Sequence, residues 1–515
     1  MCIGAVLFAK KIPGDCAPVG QLYLSFDHSL TLGGSASLQH RLGSPVVSLL
    51  RTMWLPLTAS ALAFAAAPPI TTYAMLKTVL ESRDGPRERT LGASIAFPKE
   101  SPISVVETIA LDGAGHSLLG HDGPTTDWLL FQAEKTELTL RNLHIVHGSV
   151  SVPVNSTLRL YESRLSNISS LNSHGTLVIR HSTFTNTSGP GSSGIVNYGL
   201  ANVSDSTFEG GAGFPAPWIP DGVGEWCGAV SNAGALNVER CTFRANRCVG
   251  SLGAGLGGAI SNGLGGLGSA NVLSSTFDDN VGGGGGAIYN GGTLLVVGSS
   301  FRRNIAASGG AILNAQQKFA EVHDSDFDSN AALPVDSGCV GAGGAVASFS
   351  DPQHYGSLTG LTLRGVRMTN NSAGMGGAVY VDGTVFNISG ATFTRNAAAH
   401  CEGAEAAGGA LHITHSTCGE QLSSLDFGSV RFEGNTNARD PRSADLWTDF
   451  KTDVYVLGCA DEPCPFSGWS RRCAPTACLA VHADSRYGPK YENATCACSC
   501  ACTPRRQNEK SGGLT

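Results

Sequence analysis

Residues 285–304 read Gly-Gly-Ala-Ile-Tyr-Asn-Gly-Gly-Thr-Leu-Leu-Val-Val-Gly-Ser-Ser-Phe-Arg-Arg-Asn. Working back from Phe301, the residues at −5 and −7 are Val296 and Leu294, the one at −2 is small (Ser299), and the one at −1 is polar (Ser300). Apolar residues two apart mark a strand with one buried face. The same pattern recurs eleven times, ending on Ile145, Leu165, Phe184, Phe208, Phe243, Phe277, Phe301, Phe327, Met368, Phe393 and Phe432. These anchors are 20, 19, 24, 35, 34, 24, 26, 41, 25 and 39 residues apart. A minimum near 20 is too short for a propeller blade and fits one coil of a β-solenoid, with the longer spacings as loop insertions. The predicted fold is therefore all-β, a β-solenoid of about eleven or more coils.

The step from −5 to −2 breaks strict alternation, so each repeat must bend there. Gly298, Gly365, Gly390 and Gly428 fall in that step, where a residue free of steric limits on φ is favoured. Three residues after the anchor comes Asn246, Asn280, Asn304, Asn330, Asn371, Asn396 and Asn435. Asn suits a turn and tolerates left-handed backbone. On stacked coils these amides should form a structural ladder, contributing about 1 kcal/mol per net bond. A second series follows at Asn197, Asn232, Asn262, Asn290 and Asn314. The Gly-Gly-Ala motif lacks the helix and the spacing of a phosphate-binding loop.

Gly-Gly-Ala-Ile followed by Phe-x-x-Asn, repeated, resembles the repeats of the polymorphic outer-membrane proteins of chlamydiae, which also occur in other secreted β-helix proteins. The match is good over 226–435 and weaker over 138–225. The resemblance implies a right-handed parallel β-helix of the pectin-lyase-like superfamily. Nothing after residue 435 shows the alternating ten-residue strands of an outer-membrane barrel. The Asn-Thr-Asp, Asp-Asp, Gly-His-Gly and Arg-Ile-Lys set of that superfamily's galacturonan hydrolases is also missing; only Asp278-Asp279 and Ser173-His174-Gly175 come near it.

The chain has 515 residues, 67 of them Gly, a net charge of −7 and only 15% charged residues. No basic run exceeds two residues, which argues against nucleic acid as a partner. Residues 53–67, Met-Trp-Leu-Pro-Leu-Thr-Ala-Ser-Ala-Leu-Ala-Phe-Ala-Ala-Ala, read as a secretory leader. A signal anchor is the alternative. Translation is expected to start at Met53, with 1–52 an extension and no transmembrane span in the mature chain. Residues 68–137 then hold an N-terminal cap and first coils, 138–457 the repeats, 458–502 a Cys-rich segment and 503–515 a polar tail. Discarding 1–52 leaves fourteen cysteines, eight of them within 459–502. Asn155, Asn167, Asn186, Asn202, Asn370, Asn387 and Asn493 open N-x-Ser/Thr sequons. Together these features point to an oxidising, extracellular or cell-surface setting and a glycoprotein.

Insertions fall at one corner, between Phe-x-x-Asn and Gly-Gly-Ala, at 209–226, 247–256, 331–342 and 397–407. Cys227, Cys248, Cys339 and Cys401 lie in or beside them. Cys227 and Cys248 sit on neighbouring coils and are expected to pair; metal binding is the alternative. Cys241 replaces Ser in the inward column and is expected to be a buried thiol. In the 209–226 loop Phe214, Trp218 and Trp226 are candidate aromatics for stacking on a sugar or gripping a partner; packing down to cap the loop is the competing reading. Asp278, Asp279, Asp324, Asp326 and Asp328 form the densest acidic group. Placed on rungs they alternate with Arg302 and Arg303, which describes a charge ladder rather than a catalytic pair. His144, His147, His174 and His181 group loosely on early rungs. The Cys-x-Cys run 496–502 reads as part of a disulfide-bonded cap, with a soft-metal thiolate cluster as the alternative. The expected function is a secreted or cell-surface binding or adhesion module, non-catalytic, without cofactor or resident metal, presenting edge loops to an extracellular glycan or protein. A polysaccharide lyase or hydrolase of the same fold and a structural wall or coat protein are the alternatives.

Overall fold

The structure is a computed structural model. It describes residues 67–83, 87–121, 128–190, 194–214, 225–226, 228–248, 255–263, 266–315, 318–333, 341–349, 359–399, 408–414, 424–425, 429–438, 446–448, 455–457, 469–473 and 499–504. Of the expected extension and leader, 1–67, all but the last residue lie outside these residues.

The chain is a parallel β-helix. Each coil contributes one strand to each of three long sheets, here A, B and C. Sheet A runs from Glu88–Thr90 through Thr293–Val297 to Tyr455–Leu457. Sheet B runs from Ile95–Ala96 through Ser300–Arg302 to Arg431–Glu433, and sheet C from Ile103–Val105 through Ile288–Asn290 to Leu446–Thr448. Sheets B and C have 13 strands each, all parallel. Sheet A has 16. Its last two, Ser499–Pro504 and Trp469–Cys473, pair antiparallel and bring the Cys-rich segment onto the sheet's end.

Every eight-residue repeat is thus two strands on two sheets. The bend sits at −3 from the anchor. Asn142, Glu162, His181, Asp205, Arg240, Ser274 and Asp324 hold φ between 48° and 51° there, and Gly298, Gly365 and Gly390 between 59° and 64°. The three predicted glycines that are described do occupy the bend; Gly428 is outside the described residues. Seven side chains accept left-handed backbone at the same place, each costing about 1 kcal/mol, because stacking leaves the chain no other path.

Packing is by identity. The anchors Phe184, Phe208, Phe243, Phe277, Phe301 and Phe327 stack with centroids 4.6–4.9 Å apart and rings within 13° of parallel. The spacing is one rung of a parallel sheet. All are buried, with Leu294, Val296 and their equivalents, in one core. Met368 interrupts the stack before Phe393 and Phe432 resume it.

The turn chemistry differs from the expectation in one respect. Left-handed backbone after the anchor falls at +2, from His147 through Asp279 and Arg303 to Gly434. The Asn series at +3 instead points inward and is buried. The Asn304 amide donates to Asn330 Oδ1 at 2.9 Å and to Phe277 O at 3.0 Å. Its own Oδ1 accepts from the backbone N–H and the amide of Asn280, at 3.1 and 2.9 Å. The same set repeats from Asn246 to Asn435. The second Asn series forms an equivalent ladder, Asn197 to Asn314, at 2.7–2.8 Å. A fully satisfied buried network of this kind also discriminates register, since a slipped coil strands its amides.

In the Ser column each hydroxyl accepts the backbone N–H of the preceding coil, as Ser299 does from Ser275 at 3.1 Å. Cys241 takes one place in it, buried and free, and burial pushes its thiol up to about 11. The glycine pair is steric. Gly309 has φ 61°, and a Cβ on Gly310 would lie 2.1 Å from Gly344 O. Helix α1, Tyr73–Glu81, covers the first coil. Thr72 caps it, Leu76 and Leu80 face the core, and Leu80 O and Glu81 Oε1 accept from Val106 N and Ser104 N.

Candidate binding edge

The corner between sheets B and C is where coils differ. In the first coils it is short: His147-Gly148 and Asn167-Ile168-Ser169 lead straight from one sheet to the next, and Asn186-Thr187 leads into the strand Ser188–Pro190. The left-handed +2 residues, with φ 61° at His147, 53° at Asn167 and 50° at Asn186, leave a groove of about 310 Å³. Its lining is His121, His147, Gly148, Asn167, Ser169, Asn186 and Ser188. Its described lining offers amides, hydroxyls and imidazoles. Such a surface suits a neutral, hydrogen-bonding group. Beside it His144 Nε2 lies 3.0 Å from Ser166 Oγ, which is 2.9 Å from Thr185 Oγ1. Burial, then the neighbouring Arg164, lowers the His144 pKa, so it is neutral at pH 7 and a poor general acid.

Further along, the same edge carries the insertions. Ser188–Pro190, Ala212–Phe214 and Arg247–Cys248 pair as one ribbon, and Glu225–Trp226 with Gly255–Leu256 as another. Single bridges continue the second ribbon through Gly284, Ser308, Ala342 and Met375. Leu256 and Met375 pack on a second apolar cluster, Tyr289, Leu313, Ala342, Ala347 and Tyr380. Four of these, Tyr289, Leu313, Ala347 and Tyr380, occupy the second position of sheet C strands, one above the other. Leu256, Ala342 and Met375 therefore cover part of the outer face of sheet C. Burial raises the phenol pKa of both tyrosines, with Asp382 adding to it at Tyr380.

Of the sequence candidates, Phe214 and Trp226 are placed by their backbone at ribbon ends within the corner segment of a single coil. Trp218, Cys227, Cys339 and Cys401 lie outside the described residues. Cys248 is buried and disulfide-bonded. Four of the five acidic residues, all but Asp324, take cross-rung partners. Arg303 reaches both Asp278 and Asp279, at 2.6 and 2.9 Å, so Arg302 takes no share of a pair that its position suggested. Arg367 forks onto Asp326 at 2.6 Å, and Asn370 bonds Asp328 at 3.3 Å. Among the described residues no three His, Cys, Asp or Glu side chains converge as a metal site would require.

Sequence reasoning missed the groove, because its residues are contributed one or two at a time by four coils. The available signal was Asn or His at +2 in coils without an insertion. It also missed two exposed aromatics on the corner between sheets C and A. Tyr198 stacks on His174 at 4.6 Å, and Phe319 is 55% exposed.

The model of the Chlamydia polymorphic membrane protein repeat matches residues 274–291. No curated protein matches the chain. Among solved structures, the catalytic domain of a GH87 alpha-1,3-glucanase in complex with nigerose is 10% identical at TM-score 0.29, over 71% of this chain and 60% of that one. A surface adhesin of Streptococcus pneumoniae is 11% identical at TM-score 0.32, over 75% and 89%. The SRRP of L. reuteri 53608 is 11% identical at TM-score 0.24, over 74% and 98%. This chain spans only about three fifths of the glucanase domain it resembles. None of these likenesses bears on activity. Among the described residues no helix is long and apolar enough to cross a membrane.

Proposed function

We propose that this protein is an extracellular or cell-surface binding module that presents the edge between sheets B and C to a glycan or protein partner. One observation carries the reading: the coils repeat closely on sheets A and B, and variation concentrates on that edge. A selected surface needs variable side chains on a rigid scaffold, and this edge supplies them. The sequons, the cysteine content and the leader-like 53–67 segment support an oxidising, secreted destination. The Cys227–Cys248 pairing belongs to the same reading: Cys248 is disulfide-bonded and Cys227 precedes the coil that pairs with it. Phe214, Trp218 and Trp226 are the proposed contacts, since aromatic side chains contribute large contact area at low entropic cost.

The test is a glycan and surface-protein array probed with the full chain. Phe214→Ala, Trp218→Ala and Trp226→Ala should weaken any specific binding at least tenfold, while Phe319→Ala on the opposite corner should not. Binding indifferent to all three edge variants sinks the reading. So does cleavage of a uronate-rich polysaccharide with new unsaturated ends, which would favour a lyase of the same fold.

A further inference from the structure

The groove at the start of the edge has a second property. Asn167-Ile168-Ser169 and Asn186-Thr187-Ser188 are both N-x-Ser sequons, and the four residues that define them all line it. The geometry points to this groove as an N-glycan attachment site, with Asn167 and Asn186 as the acceptors. Both asparagines are exposed, on left-handed corner backbone, and neither amide nitrogen is engaged in a hydrogen bond. The remaining described sequons of the coils differ. Asn202 Oδ1 accepts from Asn237 at 2.8 Å, within an amide row that continues to Asn271. The Asn370 amide donates to Asp328, and Asn387, half-buried in its sheet A strand, is also engaged. Asn155, on the corner between sheets C and A, is exposed and left-handed as well, but it stands apart from the groove.

The reaction is transfer of an oligosaccharide from a lipid-pyrophosphate donor. The Asn Nδ2–C1 bond forms, the C1–O bond to pyrophosphate breaks, the lipid pyrophosphate leaves with the electron pair, and the amide proton passes to the transferase base. Asn167 and Asn186 sit on adjacent rungs, since Leu165 pairs with Phe184, so their attachment points are about 5 Å apart. Glycans there would cover the N-terminal end of the edge and leave the insertions beyond residue 209 as the open part. This inference does not depend on the partner-binding reading.

The test incubates the purified, folded full chain with a single-subunit eukaryotic-type oligosaccharyltransferase and a lipid-linked oligosaccharide. Occupancy is mapped by enzymatic deglycosylation in ¹⁸O-water and peptide mass spectrometry. At least fivefold higher occupancy is expected at Asn167 or Asn186 than at Asn202, Asn370 and Asn387. Ser169→Ala should abolish modification of Asn167, and Ser169→Thr should retain it. Unmodified Asn167 and Asn186 beside a glycosylated Asn155 overturns the proposal, as does equal occupancy at Asn202, Asn370 and Asn387. A chain modified nowhere overturns it too, provided that an acceptor peptide in the same mixture is glycosylated.

Discussion

At the scale of the residue, the ladders convert a repeated letter into a stability term. Replacing Asn304 with Ala leaves Phe277 O without its side-chain donor and two Asn280 donors without an acceptor. Each buried orphan costs about 1–3 kcal/mol, so Asn304→Ala should destabilise by about 4 kcal/mol, read as a lowered urea midpoint. Asn246→Ala, at the first rung of the ladder, strands Phe208 O and a single donor, Gly211 N, and should cost less; equal losses would mean that stranded donors do not set the cost. At the bend, Ser274 holds φ 48° and is exposed. Ser274→Gly should therefore stabilise by about 0.5–1 kcal/mol, since relief of left-handed strain exceeds the entropy added to the unfolded chain. Cys241 gives a pH dependence. Its thiol has an ordinary value of 9.0 and about 11 in the fold. The native state holds the proton more tightly, so this contribution is complete below pH 9 and is lost as pH rises through about 11. Two units correspond to about 3 kcal/mol at most. Cys241→Ser should have nearly the wild-type midpoint at pH 8 and exceed it at pH 10.5. Parallel pH profiles for the two proteins would refute the assignment.

At the scale of the element, the anchor stack is broken once. Met368 sits between Phe327 and Phe393, buried like them. Met368→Phe would join the two runs of rings, and a stacked aromatic pair contributes about 0.5–1.5 kcal/mol beyond its area. The volume is close enough that overpacking should not cancel this gain. A raised thermal midpoint is expected; a fall of several degrees would show that the Met368 site is narrower than its neighbours. The strands themselves were legible in the sequence, because a one-sided strand writes its buried face every second residue, as Leu294 and Val296 do. The coil register was legible too, since the apolar anchor and the Asn column recur together from Phe243 and Asn246 to Phe432 and Asn435. The left-handed residue was misplaced by one, from +2 to +3. Asn is common in turns, and the inward Asn304 and the outward Asn186 are indistinguishable as letters. The groove was not legible at all. His121, His147, Asn167 and Asn186 belong to four different coils, and only the stacking distance brings them together.

At the scale of the whole molecule, a solenoid has two ends and no closed core, so each end exposes a row of backbone donors and acceptors unless something covers it. Helix α1 does this at the first coil, where Leu80 O and Glu81 Oε1 take two donors of the strand Ile103–Val105 and its neighbour Val106. Tyr73 adds an edge-on contact with Phe97 at 5.4 Å and a hydrogen bond to Ser101 O. Each coil touches chiefly its neighbours, so loss of this cap should propagate weakly. The double variant Leu76→Asp, Leu80→Asp places two carboxylates where two leucines are at most 2% exposed. Charge buried without a partner is not tolerated, so the helix should detach. Hydrogen exchange should then accelerate across 88–120 while the coils between 270 and 400 keep wild-type protection. The bared end should also pair with other copies, giving association that grows with concentration in light scattering. Uniformly faster exchange through residue 400 would show that the coils unfold as one unit and that the cap supports all of them; a monomer with unchanged protection at 88–120 would show that α1 covers nothing the first coil needs.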